Sequence, residues 1–291
     1  MILVDAHQHY WRVARGDYGW LEDAPAALRR DFLPADLQPQ RVAAGVQGSI
    51  LVQAAPTEAE TRFLLELARA DSSIVGVVGW VDFEAPDVRA RIRALVHDGG
   101  GHLLGLRPMA QDIPDPDWLA RPVLDAAFDS LQEFDLAFDA LVRPQQMAAL
   151  HRRLARERNL RAVLDHAGKP DIAHAAFDAW ATHIERLAGQ PNLHCKFSGL
   201  LTQLAPGMPE SAIDRYAVHL FACFGPARLL WGSDWPVLTT HGDYRHWLAL
   251  ARDLARKYAP GAAPQVFGRN AMTFYRRPLH TPHPDSEGAS A

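Results

Sequence analysis

Two histidines separated by one residue stand near the amino terminus, in the segment Asp5-Ala6-His7-Gln8-His9. They follow a short apolar run of the kind that forms a β-strand. Side chains two residues apart point to the same face of a strand, so His7 and His9 can converge on one centre. Imidazole is a common metal ligand and also polarises carbonyl groups. The pair therefore predicts a metal or catalytic site, although hydrogen-bonded core histidines can have the same spacing.

Two further residues with metal-binding or acid–base side chains end later apolar runs. His166 follows the run at residues 161–164, and Asp234 follows the run at 229–231. An aspartate at a strand end can also cap the next helix. Its coincidence with three histidines at equivalent strand ends favours a shared site. His7, His9, His166 and Asp234 are therefore the candidate catalytic residues.

The elements that must bring these residues together are short apolar runs bounded by turn residues and separated by helical patterns. Strands that alternate with helices predict a parallel sheet, and eight strands are the number that closes a (β/α)8 barrel. We expect strands at residues 2–6, 49–53, 74–81, 103–106, 136–142, 161–164, 193–197 and 229–231. We expect the main helices at residues 34–44, 58–70, 87–97, 144–159 and 244–258.

An open, doubly wound α/β sheet is the alternative architecture, but no glycine-rich phosphate loop follows the first run. We therefore predict a single, distorted (β/α)8 barrel of the TIM type over residues 1–276, with a disordered tail at 277–291. The carboxyl ends of its strands surround one mouth, where the candidate residues would meet. The long aromatic segment 10–31 is expected either to form a wall of this pocket or to be a surface loop that its aromatic side chains hold in place.

The composition limits the class of protein. Of the 291 residues, 48% are hydrophobic and 22% are charged, as in a globular protein with a large core. The net charge of -4, without a basic stripe, argues against a nucleic-acid partner. The apolar runs are too short to cross a membrane, and no secretory signal is evident. Two cysteines, Cys195 and Cys223, do not make a disulfide framework and predict a cytoplasmic location.

Several motifs, in chain order, resemble the amidohydrolase superfamily and, within it, the branch of sugar lactonases. That branch includes L-fuconolactonases, L-rhamnonolactonases and 2-pyrone-4,6-dicarboxylate lactonase. The resemblance covers about residues 2–276 and is strongest to the L-fuconolactonase type. The motifs that carry it include Val4-Asp5-Ala6-His7-Gln8-His9-Tyr10-Trp11, Gly105-Leu106-Arg107-Pro108, Leu164-Asp165-His166-Ala167-Gly168-Lys169-Pro170, Cys195-Lys196-Phe197-Ser198-Gly199-Leu200 and Trp231-Gly232-Ser233-Asp234-Trp235-Pro236.

This resemblance implies an enzyme that hydrolyses a sugar lactone to its aldonic acid at the carboxyl ends of the barrel strands. It assigns the general base for water to Asp234. His7, His9 and His166 would then polarise the carbonyl or orient the water. These roles follow from the family and not from the spacing of the residues.

The chain departs from the metal-dependent members of the superfamily at two strands. Those members place a Lys or Glu ligand on strand four and a His ligand on strand five. Here the fourth run ends in Arg107, whose guanidinium cannot bind a metal, and the fifth carries Asp139 without a histidine. We therefore expect no two-metal site. The four candidate residues either hold one Zn²⁺ with an open position for water, or act without a metal as the resembling lactonases do.

Five further side chains are candidate substrate contacts. Arg107 can donate hydrogen bonds to a carbonyl or hydroxyl, or form a salt bridge at the barrel rim. The motif match favours Lys196 as a substrate contact, with a buried ion pair as the alternative. Lys169 is expected to be a loop cation near the pocket. Trp11 and Trp235 either stack on the apolar face of a sugar ring or pack in the core.

The small number of cations at the strand ends also bears on the substrate. A dicarboxylate would need several arginines, so we predict a neutral lactone such as L-fucono-1,5-lactone, L-fucono-1,4-lactone or a similar aldonolactone. Two alternatives remain open. The first is a zinc-dependent decarboxylase of an unsaturated or aromatic acid on the same framework. The second is a barrel that binds a sugar acid without turnover.

Overall fold

The computed structural model describes residues 2–276 of the chain. Eight parallel strands form one sheet in which each strand pairs with the next along the chain. The sheet closes because the segment after the last strand hydrogen-bonds to the first strand, and the predicted (β/α)8 barrel is confirmed. The strands are β1 (Val4–Gln8), β2 (Gly48–Val52), β3 (Ile74–Gly79), β4 (Leu103–Leu106), β5 (Ala137–Ala140), β6 (Ala162–Leu164), β7 (Leu193–Phe197) and β8 (Leu229–Trp231).

Helices follow the strands and cover the outside of the barrel. Two of them begin at a residue whose side chain caps the first turn: the Thr57 hydroxyl accepts from the Glu60 N–H, and the Asp243 carboxylate accepts from the Arg245 N–H. These caps fix where two of the longest helices begin. The α-helices are α1 (Pro34–Ala43), α2 (Glu58–Ala70), α3 (Val88–Gly99), α4 (Asp125–Glu133), α5 (Met147–Arg156), α6 (Phe177–Ala188), α7 (Asp214–Phe224), α8 (Tyr244–Tyr258) and α9 (Asn270–Phe274).

Alternate residues of the strands point into the barrel, where they form an apolar layer. Residues of the last helix and Tyr275, which follows it, join this layer. Further along the same inward faces the layer becomes polar, because Asp139 follows Ala137 by two positions and Asp165 follows Val163 by two positions. The apolar layer contains Val4, Ala6, Ile50, Val52, Val78, Leu104, Ala137, Val163 and Leu230.

Several predicted boundaries are wrong by a few residues. β1 begins at Val4 and continues to Gln8, so His7 lies inside the strand, because pairing with β2 extends beyond the apolar run. The fifth strand is only Ala137–Ala140. The helix expected at 144–159 is a 3-10 turn at Pro144–Gln146 followed by α5, which ends at Arg156. Proline at the start of this segment favours the tighter first turn.

Three further predictions concern the tail, membrane-crossing helices and the long segment 10–31. The tail expected at 277–291 lies outside the described residues. Within residues 2–276, no helix combines the length and the apolar character that crossing a bilayer requires. The long segment 10–31 carries three short 3-10 turns, Val13–Arg15, Gly19–Glu22 and Ala26–Leu28.

Candidate active site

A β-bulge in β1 directs His7, and His9 just after the strand, into the barrel interior. Between Asp5 and Gln8, β1 contains one residue more than the facing segment of β2. Strict alternation would place His7 and His9 on the face opposite to Ala6. Because of the extra residue, Ala6 belongs to the interior layer and the two histidines also face inward. The bulge thus combines an apolar barrel interior with a polar centre directly above it.

Asp234 reaches the same centre from the segment after β8, which closes the barrel against β1. Its backbone N–H donates to the His7 carbonyl at 2.8 Å, and the His9 N–H donates to the Trp235 carbonyl at 2.7 Å. Asp234 has a left-handed backbone, with φ of +60°, which aspartate tolerates better than most residues. A Cβ at Gly232 would stand 2.7 Å from the Cβ of His7. Glycine at this position therefore allows the close approach of the two segments.

His166 is held in a tight turn that follows β6. Its φ is +51°, a strained conformation of the kind that concentrates at functional sites. Its Nδ1 lies 2.9 Å from the Ser198 hydroxyl, which fixes the orientation of the ring. A Cβ at Gly199 would come within 2.8 Å of the same ring. The segment Ser198-Gly199 after β7 therefore both anchors His166 and leaves room for it.

The nitrogen and oxygen atoms of the four candidate residues converge. The Nε2 atom of His9 lies 3.2 Å from His7 Nε2 and 3.2 Å from Asp234 Oδ1. The same oxygen of Asp234 is 3.8 Å from His7 Nε2 and 3.8 Å from His166 Nε2. All four residues are buried. The structure thus brings together the set that was predicted from the sequence.

A cavity of about 270 Å³ opens onto this centre at the carboxyl ends of the strands. His9, His166 and Asp234 line it, whereas His7 lies behind them, fully buried. Loops that follow the strands supply most of the wall, as is usual for the mouth of such a barrel. The other lining residues are Trp20, Ala54, Arg107, Met109, Gln111, Asp112, Leu141, Lys169 and Val237.

Arg107 extends from the end of β4 and lines the cavity, as predicted. Its Nη2 donates to the Gln53 carbonyl, and its Nη1 lies 3.3 Å from Asp165 Oδ2 and 3.4 Å from His7 Nε2. Its Nε is buried and has no hydrogen-bond partner among residues 2–276. An unpaired buried donor costs free energy unless a ligand satisfies it. Arg107 therefore forms a salt bridge, but a buried one with Asp165 and not one at the barrel rim, and its Nε has no acceptor among these residues.

Lys169 also lines the cavity, on the loop after β6. Its Nζ donates to the side-chain oxygen of Gln111, and burial lowers the pKa of Lys169. Gln111 and the neighbouring Asp112 were not predicted as site residues, although they follow β4 and therefore occupy the same mouth. Their position after a strand was the signal that could have identified them.

Lys196 does not line the cavity, and the substrate contact predicted for it is corrected. It is fully buried inside the barrel, where Nζ pairs with Asp139 and lies 2.9 Å from Asp165 Oδ1. The same Nζ is 3.0 Å from His7 Nδ1. Burial by itself would raise the pKa of Asp165, but Lys196 and His7 outweigh it and hold that pKa well below its usual range. The alternative, a buried ion pair, is what the structure shows, and it supports His7 from inside the barrel.

The sugar-stacking role predicted for two tryptophans is also corrected. Trp11 is fully buried and its Nε1 donates to a backbone carbonyl at 2.7 Å. Trp235 is buried edge-on against Tyr10, at 5.9 Å between ring centroids. Both side chains pack in the core because they point away from the barrel axis. Trp20, from the segment 10–31, lines the cavity instead, and its Nε1 donates to the Ala54 carbonyl at 2.8 Å.

Burial and neighbouring charges set the protonation of the centre. Burial lowers the pKa of His166 to about 4. Burial and the Lys196 ammonium lower the pKa of His7 well below its usual range. Burial would raise the pKa of Asp234, but His166, His9 and His7 outweigh it and hold that pKa below its ordinary value. At neutral pH the centre therefore contains an ionised carboxylate beside neutral His7 and His166.

Three residues of the centre, His7, His9 and Asp234, have ligand atoms close enough together to share one metal ion. The Nδ1 of His9 lies 2.8 Å from the Val52 carbonyl, which only accepts, so a neutral His9 ring carries its proton there. Its bare Nε2 then accepts from His7, since the Lys196 ammonium donates to His7 Nδ1 and leaves the proton of a neutral His7 ring on Nε2. A metal ion at this centre would have to take the place of that proton. Tetrahedral zinc with bonds near 2.0–2.1 Å places its donors about 3.3 Å apart. The 3.2 Å separations of His9 Nε2 from His7 and Asp234 are close to this value, whereas Asp234 Oδ1 is 3.8 Å from His7 Nε2 and from His166 Nε2.

Comparison with known proteins identifies the family. A family model described as Amidohydrolase matches residues 4–277. The chain belongs to the amidohydrolase family. The match extends over almost the whole chain, so the resemblance carried by the strand-end motifs is confirmed.

Two relatives of this amidohydrolase have the same name, L-fucono-1,5-lactonase. It is 44% identical to the L-fucono-1,5-lactonase of Burkholderia ambifaria, over 94% of this chain and 95% of that protein. It is 35% identical to the L-fucono-1,5-lactonase of Burkholderia multivorans, over 95% of this chain and 97% of that protein. A crystal structure of an amidohydrolase from Burkholderia multivorans with bound zinc superposes with a TM-score of 0.90, at 33% identity, and the match covers 96% of this chain and 100% of that chain.

Glu60 of this amidohydrolase is a buried carboxyl that supports the cavity wall. Its oxygens accept hydrogen bonds from the N–H groups of Ala54 and Ala55, each at 2.9 Å. Burial raises the pKa of Glu60 from 4.5 to about 8. The folded protein therefore binds this proton more tightly than the unfolded chain does. The resulting stabilisation is complete below pH 4.5 and is lost as the pH rises through about 8.

We expect the substitution Glu60→Gln to remove this pH dependence, because the amide keeps an acceptor oxygen without the buried charge. Between about pH 5 and pH 8, the free energy of unfolding of the wild type should fall relative to the variant by about 1 kcal/mol per pH unit. Urea unfolding followed by tryptophan fluorescence measures both proteins. Glu66→Gln, on the exposed face of the same helix, is the control and should show a constant difference. A constant difference for Glu60→Gln would contradict the prediction.

Proposed function

We propose that this enzyme opens L-fucono-1,5-lactone, or a closely related 1,4- or 1,5-aldonolactone, to its aldonic acid. The observation that carries the proposal is the 44% identity to an L-fucono-1,5-lactonase over 94% of the chain. A second relative with the same name supports it. The buried carboxylate and imidazoles at the floor of the cavity supply the groups that lactone hydrolysis needs.

The cavity is matched to one neutral, hydroxylated ring. Its volume of about 270 Å³ corresponds to that of about nine water molecules, which leaves room for a six-carbon lactone and the attacking water. In the described part of the chain, the lining of this cavity has two cationic side chains, Arg107 and Lys169, and two carboxylates, Asp112 and Asp234. Two dispersed cations suit hydroxyl and carbonyl oxygens better than the two carboxylates of a dicarboxylate lactone.

Asp234 is the proposed general base. Its carboxylate is ionised at neutral pH and lines the cavity floor, so it can accept a proton from a water placed between it and the lactone carbonyl. His9 and His166 stand on either side and hold this water by hydrogen bonds. His7 and, behind it, Lys196 keep the imidazoles in place.

The lactone carbonyl becomes negatively charged when the water oxygen bonds to its carbon. Arg107 is proposed to stabilise this charge, since its guanidinium is always positively charged and its side chain lines the cavity. The ring C–O bond then breaks. The ring oxygen takes the proton held by Asp234 and becomes a hydroxyl, and the aldonic acid ionises in solution.

His7, His9 and Asp234, whose ligand atoms lie close together, would hold a zinc ion, which when bound would add Lewis-acid polarisation of the carbonyl. The chain also has a base in Asp234 and a hydrogen-bond donor in Arg107. We therefore propose that the metal is not required. A lactone ester is easier to open than an amide, so hydrogen-bond donors suffice for it.

Acid release from L-fucono-1,5-lactone, followed with a pH indicator, tests both parts of the proposal. We expect the enzyme to release acid at rates well above the protein-free sample, which corrects for spontaneous lactone opening. We expect the rate to be largely unchanged after exhaustive chelation. The metal content of each sample is measured in parallel, so that the chelated enzyme is known to be free of zinc.

Other outcomes separate the alternatives. Activity lost on chelation and restored by zinc would contradict the metal-free reaction and keep the lactonase assignment. No acid from a stereochemical panel of 1,4- and 1,5-lactones would contradict that assignment and favour the decarboxylase, tested by CO₂ release from unsaturated acids. A rise in melting temperature with sugar acids, but no product from any lactone, would favour a binding barrel.

A further inference from the structure

A second cavity, of about 500 Å³, adjoins the first at the mouth of the barrel. The two cavities share Trp20, Met109 and Asp112 in their linings, so one ligand can extend from one into the other. The six-carbon lactone of the proposed function needs no more space than the first cavity provides. Most of the second lining is apolar, including Trp80, Val81, Phe83, Pro108, Ile113 and Trp118.

The charged side chains that line the second cavity in the described part of the chain are all acidic. Among residues 2–276, no lysine, arginine or histidine lines it, whereas Asp17, Asp82, Glu84 and Asp112 do. Arg15 pairs with Asp17 at 2.9 Å and Arg121 pairs with Glu84 at 2.9 Å. The aspartates at 82 and 112 have no ion-pair partner within the described part of the chain. An anionic group is therefore repelled from this cavity, and an uncharged apolar group is not.

The aromatic walls of the second cavity are held by their own contacts. Trp20 is fixed by its hydrogen bond to Ala54 and packs edge-on against Trp11 at 5.3 Å between centroids. The backbone N–H of Trp80 donates to the Thr61 hydroxyl at 2.8 Å. A cavity with preformed aromatic walls binds an apolar group with little ordering cost.

We propose that the second cavity is a subsite for an uncharged apolar substituent on the lactone ring, an alkyl chain or an aryl group, so that the enzyme also opens apolar δ-lactones. The inference rests on the proposed function, because the substituent reaches this subsite only when the lactone ring occupies the first cavity. The bonds that form and break are the same as in the proposed function: the water oxygen bonds to the carbonyl carbon, the ring C–O bond breaks, and the ring oxygen takes a proton.

A series of δ-lactones with growing alkyl chains tests the subsite. Each methylene that leaves water for the cavity should raise kcat/KM by about 3- to 4-fold. From δ-hexanolactone to δ-decanolactone we expect a gain of at least about 10-fold, since the added methylenes are only partly buried. A δ-lactone of the same length with a terminal carboxylate should show no such gain, because the carboxylates of the lining repel it.

Two variants locate the effect. Ile113→Trp fills the second cavity and Trp80→Ala removes one of its walls; neither residue lines the first cavity. Both should reduce the chain-length gain to less than about 3-fold and leave the rate on L-fucono-1,5-lactone unchanged. Val218→Trp, on the exposed face of α7, is the matched control and should keep the whole gain. Urea midpoints confirm that each variant is folded.

The outcomes that overturn the inference differ from those that overturn the proposed function. Normal turnover of L-fucono-1,5-lactone without any chain-length gain overturns the subsite alone. A gain that persists in both Ile113→Trp and Trp80→Ala overturns its assignment to this cavity. The lactone of a disaccharide acid is compared with L-fucono-1,5-lactone. If its kcat/KM rises by a larger factor than that from δ-hexanolactone to δ-decanolactone, the subsite binds a second sugar and the apolar assignment is overturned. Absence of turnover with every lactone overturns the proposed function and the subsite together.

Discussion

The substitution Asp234→Asn is expected to lower kcat on L-fucono-1,5-lactone by about 1,000-fold, the range over which a positioned general base acts. The amide has the shape of the carboxylate but cannot accept the proton of the attacking water. Asparagine also tolerates the left-handed φ of +60° at this position, so the backbone of the turn should be preserved. Because the ground-state contacts change little, KM should change much less than kcat.

The measurement is made on chelated enzyme, so that the loss reports proton transfer and not the loss of a metal ligand. Asp112→Asn is the matched control, because Asp112 lines the same cavity but is exposed and, among residues 2–276, has no hydrogen bond or ion pair with the histidines of the centre. We expect it to keep most of the wild-type rate. If Asp234→Asn kept more than about a tenth of that rate, the general base would have to be another group.

The substitution Lys196→Met is expected to destabilise the fold by about 3–5 kcal/mol, the usual cost of removing one partner of a buried ion pair. Lys196 is fully buried between Asp139 and Asp165, and methionine fills its volume without its charge. Asp139 would retain only the Tyr275 hydroxyl, which donates to it at 2.8 Å. A buried carboxylate without its cation favours protonation, so the destabilisation should increase as the pH rises.

Urea unfolding at two pH values measures this loss. Lys257→Met is the matched control, since Lys257 pairs with Asp214 on the surface at 3.1 Å and solvent screens that pair. We expect the control to leave the urea midpoint almost unchanged. Equal midpoints for wild type and Lys196→Met would show that the interior carboxylates are already protonated in the wild-type fold.

The strand-end residues could be predicted because two regularities locate them. Apolar runs bounded by turns mark the strands, and in a closed parallel barrel the carboxyl ends of all strands meet at one mouth. His166 and Asp234 therefore join His7 and His9 even though they are distant in the chain. Neither regularity depends on side-chain packing, which is why the sequence alone was sufficient.

Other features depend on contacts that no local pattern records. The bulge in β1 comes from its register against β2, so simple alternation fails between Asp5 and Gln8. Lys196 is two residues after His194 on β7 and one residue before the strand ends, and only the assembled barrel shows that it faces inward below the mouth. Trp11 and Trp235 adjoin the site in sequence but face the core, as alternation along an extended chain often dictates.

The seam that closes the barrel joins the beginning of the fold to its end. His9 and Asp234 are 225 residues apart in the chain, and backbone hydrogen bonds on either side of them hold β1 against the segment after β8. During synthesis the histidines therefore leave the ribosome long before Asp234 does. Contacts of such sequence separation form late, because the loop-closure entropy must be overcome first. The rate at which lactone hydrolysis returns during refolding should therefore report the rate at which the final strand docks against β1.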